Sequence, residues 1–242
     1  MVNRIGNCSG FTLIELIMVI IILGILAGVA AVQFTGTLET ARYEATLAEM
    51  NAIAAAILGN TDTRLSGTQI SFGYIGDIGA LPSNLDALIF NPGLATWNGP
   101  YLTDDGNDYR TDAWNSSYIL ADTLLRSTGS GANIDKILAA SRAALLSNRV
   151  SGLIRDADGE SIPPAYGDSV MAIMTYPDGA GTMAALTAYP SNDGRVTFST
   201  VPIGHHRLWV VYLPVADTLA LMLTVYPGRE VNLDITFPSD LW

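Results

Sequence analysis

The chain begins with one long apolar segment that continues into a segment of mixed character. From residue 11 to residue 34 nearly every position is apolar, and Glu15 is the only charge. A membrane-spanning helix needs about 20 consecutive apolar residues. From Tyr43 to Leu58 apolar residues recur at helical spacing, with charged residues on the other faces. We therefore predict one helix over residues 11–59, with its membrane part at 11–34.

The last ninety or so residues follow a different pattern. Short apolar or alternating runs are separated by turn signals rich in Gly, Pro, Asn and Asp, as in the strands of a β-sandwich. Seven strands are predicted, at 150–155, 168–175, 183–189, 195–201, 207–213, 218–226 and 229–237. The sequence thus predicts a seven-stranded β-sandwich domain over residues 150–242.

The middle of the chain is less regular. Residues 60–132 are expected to form a small α/β domain, with a short helix at 81–88 where Leu recurs every three to four residues. After a Ser/Gly-rich break, apolar residues between 134 and 148 predict a helical linker over 133–149. The predicted fold class is therefore α+β.

Charge and cysteine content narrow the functional classes. The chain has 12 Lys and Arg against 23 Asp and Glu, a net charge of −11, and Lys136 is its only lysine. A basic nucleic-acid-binding surface is not expected from this composition. Cys8 is the only cysteine, so no intrachain disulfide can form. Arg4 precedes the apolar segment and Glu39 and Glu44 follow it, which predicts residues 1–10 in the cytoplasm and the bulk of the chain outside.

Catalytic chemistry finds little support in the sequence. The two histidines, His205 and His206, are adjacent, so in a strand they point to opposite faces, and we expect both at the surface. No nucleophile-elbow, zinc-protease or phosphate-loop motif occurs in the sequence. We predict that the protein is not an enzyme and has no catalytic residues.

The N-terminal segment resembles that of type IV pilins and type II secretion pseudopilins. A short leader, residues 1–10, ends at Gly10, and Phe11-Thr12-Leu13-Ile14-Glu15 opens the apolar helix. The resemblance implies cleavage by prepilin peptidase between Gly10 and Phe11, and N-methylation of Phe11. It also implies that Glu15 pairs with the Phe11 ammonium of a neighbouring subunit during assembly. Two charges that are each costly in lipid become tolerable as a pair.

Three alternatives to this interpretation are open. A secretory signal or a plain signal-anchor helix would also be apolar, but neither explains Gly10 or Glu15. Glu15 could instead be protonated in lipid, without any partner.

Two further motifs resemble major pseudopilins of type II secretion. They comprise Trp97, Gly99, Pro100 and Tyr101, and then Asp112, Trp114 and Asn115. The sequence departs from the family at Ala113, where Pro is usual, and lacks the Gly before Asn115. The residue types alone predict Trp97 and Trp114 as core anchors and Gly99-Pro100 as a turn.

The same resemblance implies a possible calcium site, because major pseudopilins bind calcium in a loop after these motifs. No cofactor is certain, but oxygen ligands suitable for calcium are available. The candidate ligands are Asp104, Asp105, Asp108 and Asp135. A solvated acidic turn is the alternative for residues 104–108.

The C-terminal region resembles carboxypeptidase-regulatory-like domains of the transthyretin type. The resemblance rests on residues 150–159, which form a first strand and turn, and on residues 193–198 and 201–208, which match later strands. It implies a β-sandwich and no chemistry of its own.

Together these resemblances imply a structural subunit that polymerises through its N-terminal helix. Its expected partners are further copies of the chain, prepilin peptidase, an inner-membrane assembly platform and minor pseudopilins. The expected location is the inner membrane, single-pass, with the C-terminus in the periplasm or outside the cell. A secretion pseudopilus and a surface pilus fit equally well. The alternative from another class is a membrane-anchored extracellular binding protein that never polymerises.

Overall fold

The computed structural model describes residues 11–61, 63–103 and 108–242. They form a mixed α+β structure with an N-terminal helix and several β-sheets. The predicted α+β fold class is confirmed, although the number of sheets differs from the prediction. The chain divides into two compact units, with the boundary between Ala45 and Thr46.

Helix α1 runs from Leu13 to Leu58. No proline interrupts these residues, and most of them are good helix formers. The helix stops at Gly59, whose φ of +80° is left-handed. A Cβ at this position would collide with the main chain of Ser71. Glycine therefore both ends the helix and allows the following segment to approach it closely.

Short elements follow α1 in the second unit. The first are a hairpin of β1 and β2, the helix α2 and a 3₁₀ turn, and after them come the sheet β3–β4–β5 and the helix α3. Their bounds are β1 Arg64–Leu65, β2 Thr68–Gln69, α2 Gly73–Ile78, the 3₁₀ turn Leu85–Leu88, β3 Ile119–Ala121, β4 Leu124–Ser127, β5 Ile134–Ile137 and α3 Arg142–Leu146.

The structure differs from the predicted helical linker over 133–149. The first part is strand β5, which pairs antiparallel with β4, and only Arg142–Leu146 is helical. Ile134 and Ile137 have helical spacing in the sequence. Cross-strand pairing with β4 overrides that spacing, because strand formation depends on the neighbours across the sheet. The helix predicted at 81–88 is likewise only a 3₁₀ turn, capped by the Asn84 side chain.

Each of the seven strands predicted from residue 150 onward overlaps one strand of the structure. The antiparallel sheet has the order β11-β10-β7-β8, and the second sheet has the order β12-β6-β9, in which β12 runs parallel to β6. With β1–β2 and β3–β4–β5, the described residues contain four sheets, more than a sandwich alone predicts. The bounds are β6 Asn148–Arg155, β7 Val170–Pro177, β8 Met183–Ala188, β9 Arg195–Val201, β10 Gly204–Tyr212, β11 Asp217–Val225 and β12 Val231–Thr236.

Two apolar cores hold the second unit together. One lies between the sheets β11-β10-β7-β8 and β12-β6-β9, where side chains such as Ile154, Met174 and Phe198 are buried. The other combines α1 residues such as Ile57 with α2 and the sheet β3–β4–β5. Ile203, from the turn between β9 and β10, belongs to this other core. The boundary expected at residue 149/150 therefore falls inside one compact unit.

Main-chain hydrogen bonds also join the last seven strands to the elements before them. Gly179 N–H donates to the Ile78 carbonyl at 2.7 Å, and Ile203 N–H donates to the Leu145 carbonyl at 2.9 Å. Gly79 has a φ of +77°, and a Cβ there would collide with the Pro177 carbonyl. The turn at Asp178-Gly179 is thus a packing contact within the chain.

His206 is buried, contrary to the expectation that both histidines lie at the surface. Its exposed fraction is 1%, whereas His205 is exposed. His206 Nε2 lies 2.7 Å from the Pro202 carbonyl, which can only accept, so Nε2 carries the proton. Nδ1 has no hydrogen-bond partner among the described residues. Burial lowers the pKa of His206, against the opposing effect of the Pro202 carbonyl.

We expect the folded state to lose stability on acidification because of His206. The unfolded chain takes up this proton near pH 6.5, while the folded chain takes it up only at lower pH. The stabilising contribution is therefore present above about pH 6.5 and is lost as the pH falls below it. In residues 36–242, urea unfolding at pH 7.5 and 5.5 should show a loss on the order of 1 kcal/mol from this group.

His206→Gln keeps a donor for Pro202 but does not titrate, and should reduce the pH dependence. The exposed His205→Gln is the matched control and should retain it. Equal pH dependence in wild type and His206→Gln would show that His206 is not responsible.

Candidate functional site

The first turn of α1 is closed by a reciprocal pair of side-chain bonds. Thr12 N and Oγ1 both donate to Glu15 Oε2 at 3.0 Å, and Glu15 N donates to Thr12 Oγ1 at 3.3 Å. The Thr12 carbonyl accepts the first helical bond, from Leu16. This is a capping box. The Thr-x-x-Glu spacing predicts this local role of Glu15 in addition to the pairing between subunits that the family resemblance implies.

Phe11 and the apolar side chains that follow it lie on every side of α1. The large apolar side chains between residues 11 and 29 are 43% to 80% exposed. Gly10, the other predicted processing residue, lies outside the described residues. Within the described ranges, no helix meets the length and hydropathy limits for a membrane span. Burial of each such side chain stabilises by about 1.5–3 kcal/mol, and the other described residues leave this surface uncovered.

Trp97 and Tyr101 form a packed corner against the 3₁₀ turn. Trp97 Nε1 donates to the Ala87 carbonyl at 2.9 Å, and its ring meets the Tyr101 ring edge-on at 5.6 Å. A Cβ at Gly99 would collide with the Trp97 ring, and the Gly99-Pro100 peptide bond is cis. Both aromatic rings are partly buried and pack against the core that contains α1.

The Tyr101 hydroxyl completes this corner. It donates to Asp77 Oδ2 at 2.9 Å and accepts from Asn98 N–H at 3.0 Å. Burial raises the pKa of Tyr101, and the neighbouring Asp77 carboxylate adds to this. The hydroxyl therefore stays neutral and acts as a structural hydrogen-bonding group.

Asp112 is a buried carboxylate held by four donors. Its exposed fraction is 3%. Oδ1 accepts from the N–H groups of Trp114 and Ser116, at 3.0 and 2.9 Å. Oδ2 accepts from Ser127 Oγ at 2.5 Å and from Gly129 N–H at 3.0 Å. Burial by itself would raise the pKa of Asp112, but the four hydrogen bonds outweigh burial and lower it.

The cradle around Asp112 depends on two backbone features. A Cβ at Gly129 would lie 2.6 Å from both Asp112 oxygens, so only glycine fits. Asn115 has a φ of +65°, a left-handed conformation that asparagine tolerates better than most residues. Asp112 thus ties the turn at 112–116 to the end of β4.

The same turn is fixed to α1. Ala113 N–H donates to Thr46 Oγ1 at 3.2 Å, and the Tyr118 hydroxyl donates to Glu49 Oε2 at 2.7 Å. Burial, together with the Glu49 carboxylate, raises the pKa of Tyr118. Through Ala113 and Tyr118, the segment that contains Asp112 therefore acts as a brace between α1 and the sheet β3–β4–β5.

Of the four candidate calcium ligands, the structure describes Asp108 and Asp135. Asp104 and Asp105 lie outside the described residues. Asp108 accepts from the Arg110 N–H and from the Thr111 hydroxyl. Within the ranges that the structure covers, no group of three or more His, Cys, Asp or Glu side chains could hold a metal ion. Calcium binding stays a prediction.

Asp135 already has a strong partner. Arg126 donates to both of its carboxylate oxygens, at 2.6 and 2.8 Å. These hydrogen bonds lower the pKa of Asp135. The Asp135 carboxylate could ligate calcium only after it leaves Arg126.

Comparison with solved structures gives only limited similarities. The Bacillus anthracis TIE protein is 13% identical, with 47% of this chain and 22% of that chain covered and a TM-score of 0.31. BcpA, the major pilin subunit of Bacillus cereus, is 8% identical, with 50% and 41% covered and a TM-score of 0.29. A streptococcal ancillary pilin is 13% identical, with 49% and 43% covered and a TM-score of 0.29. The chain spans less than half the length of each. Comparison with curated proteins gives no match.

The Asp112 cradle generates a stability prediction. Asp112→Asn places an amide NH₂ against at least one backbone N–H donor, so at least one of the four bonds is lost, along with the negative charge, while the group stays buried. We expect the free energy of unfolding of residues 36–242 to fall by about 2–3 kcal/mol. Urea unfolding measures this. Asp158→Asn, at an exposed turn, is the control and should change it by less than about 0.5 kcal/mol. Equal losses in the two variants would contradict the bracing role.

The start of the chain matches a family model. Residues 5–31 match the prokaryotic N-terminal methylation motif, and the matched segment includes Gly10, Phe11 and Glu15. The resemblance predicted from these residues is therefore confirmed over this segment. The N-terminal segment of this chain is thus similar to the prokaryotic N-terminal methylation motif.

Proposed function

We propose that the chain is a structural subunit of a type IV pilus-like filament or of a type II secretion pseudopilus. The methylation motif supports a pilin-type filament subunit. The observation that carries the proposal is the placement of this motif on a helix whose apolar side chains are exposed on every side. Copies of the helix packed together would cover that surface. The proposal assigns no catalytic step to the chain.

Processing comes before assembly. Prepilin peptidase would cut between Gly10 and Phe11, and Phe11 would become the methylated N-terminus. Until assembly, residues 11–34 would hold the subunit in the inner membrane, with the rest of the chain in the periplasm. An inner-membrane platform and minor pseudopilins would then act on the processed subunit, and the product would be a homopolymer.

Glu15 has two roles in this proposal. In the single chain, Oε2 accepts both bonds from Thr12. Among the described residues Oε1 accepts no hydrogen bond, and it could accept from the Phe11 ammonium of the neighbouring subunit. Out of water this pair would be strong, because each charge alone is costly. The capping box would hold the carboxylate in one rotamer while the neighbour arrives.

Variants of Glu15 separate the charge from the cap. Glu15→Gln keeps a capping-box residue but removes the charge, whereas Thr12→Val removes the cap and keeps the charge. If charge pairing drives assembly, Glu15→Gln and Glu15→Val should both reduce the yield of sheared filaments by about tenfold or more. Thr12→Val should reduce it less. Membrane insertion should be unaffected in all three. Normal filament yield from Glu15→Gln would show that Glu15 acts only as a cap.

Processing has its own test. The intact mass of the extracted protein should show the loss of residues 1–10 and one added methyl group on Phe11. Gly10→Val should block cleavage, while Glu15→Gln should leave it intact. A chain that retains its leader, or is cut elsewhere, would contradict the proposal. A correctly cut chain that never polymerises would favour the alternative of a membrane-anchored extracellular binding protein.

A further inference from the structure

The two sheets of the C-terminal sandwich have very different outer faces. On the sheet β12-β6-β9, arginines pair with carboxylates on or beside the strands. Arg149 Nε lies 3.2 Å from Glu230 Oε1, Arg155 Nε lies 3.3 Å from Asp234 Oδ1, and Arg195 Nε lies 3.9 Å from Asp193 Oδ2. This face has the polar character expected of a solvated antiparallel or mixed sheet.

The outer face of the other sheet is apolar at its centre. Because Leu208, Val210 and Tyr212 are buried in the core, the alternate residues of β10 point outward. Trp209 stands there between Ala220 of β11 and Ile173 of β7. The outward-pointing residues on either side of these three, along the same strands and on β8, extend this surface. We name it the Trp209 face; its other members are Met171, Thr175, Ala185, Thr187, Arg207, Val211, Thr218 and Met222.

The charge on the Trp209 face is also unusual for this chain. Asp217 is the only acid in the four strands, and it stands at the sheet end opposite Tyr212, whose side chain is buried. The guanidinium of Arg207 lies 5.4 Å from the Trp209 ring centre, and it forms no ion pair within the described part of the chain. In a protein of net charge −11, this face is therefore apolar with one positive charge.

The size of the face limits the affinity of any contact. Four strands about 4.8 Å apart, with outward residues about 6.6 Å apart along each, give roughly 300–400 Å². Monomers rarely expose larger apolar patches without a binding role. A stable interface buries about 800 Å² on each partner. A contact through this face alone would be weak, and it would be populated only where other contacts hold two copies together.

We infer that the Trp209 face docks against an acidic surface of a neighbouring copy of this chain. The inference rests on the proposed filament, in which the N-terminal helices supply a high local concentration. The contact is heterologous, because a twofold contact between two copies of the same face would close a dimer. Heterologous contacts are also the kind that extend into helical filaments. Charge complementarity selects the partner, since the remainder of the chain has a large excess of acid.

Cross-linking in filaments of the full chain tests the inference. Cys8 is the only cysteine and would leave with the leader, so one introduced cysteine is uniquely addressable. A photoreactive label on Met222→Cys should cross-link copy to copy, with the partner peptide rich in Asp or Glu. Thr197→Cys, exposed on the outer face of β9, is the matched control and should give little product.

A variant that changes the charge of the Trp209 face provides a second test. Ala220→Glu puts a carboxylate beside Trp209 at an exposed position. Combined with labelled Met222→Cys, it should lower the cross-linked fraction by about tenfold, which corresponds to about 1.4 kcal/mol. Thr197→Glu should not lower it. An unchanged urea midpoint in both variants confirms that folding is intact.

The outcomes separate this inference from the proposed function. If filaments form but labelled Met222→Cys gives no copy-to-copy product, or reacts only with lipid or other envelope components, the docking inference is overturned and the filament proposal stands. If Ala220→Glu leaves the product unchanged, the inference is also overturned. If wild-type chains form no filaments, the proposed function fails and the docking inference fails with it.

Discussion

The constraint on which the rest of the structure depends is that helix α1 cannot bury its own first half. Between residues 11 and 29 its apolar side chains are exposed on every side. In the second half the same helix places Met50, Ile53 and Ile57 in a core that the chain itself supplies. The two halves of this one helix are therefore buried in different ways. Its second half is satisfied by folding and its first half only by association with lipid or with other helices.

In the second unit, the elements that follow α1 pack against the last turns of that helix. The brace at Asp112 connects the helix to the sheet β3–β4–β5 through Thr46, Glu49 and Ser127. Ile203 then brings the last seven strands into the same core. Because the carboxylate is buried, each lost donor would cost more than a surface hydrogen bond does. The contacts that set the position of the sandwich are thus few, buried and specific.

The sequence predicts best those elements whose pattern is local. Helix α1 and the seven C-terminal strands could be predicted because periodicity and turn residues mark them. Strand β5 could not, because its helical spacing is overridden by pairing with β4, whose residues are not helical neighbours of those in β5. His206 could not be placed either. Alternation assigns His205 and His206 to opposite faces, but it does not say which face is covered.

In the candidate site, too, features that depend on neighbouring residues could be predicted, and features that depend on distant residues could not. Gly10, Phe11 and Glu15 are contiguous, and their resemblance was enough to predict the methylation motif. The capping box could also be predicted from the sequence, because Thr12 and Glu15 have the required spacing. The donors to Asp112 come from positions up to 17 residues away, so its role depends on tertiary structure. The four calcium candidates were chosen from the family resemblance and from residue type, neither of which predicts that Arg126 engages Asp135.

A division between strong and weak contacts is also what a growing filament requires. The helix supplies a large apolar surface, where every buried side chain contributes about 1.5–3 kcal/mol. The Trp209 face supplies a few hundred Å² at most, too little to join free subunits. If the contact through the Trp209 face were strong, subunits would associate through it before their helices came together. A weak contact that acts only between neighbours already aligned by their helices can fix rotation and spacing without competing with assembly.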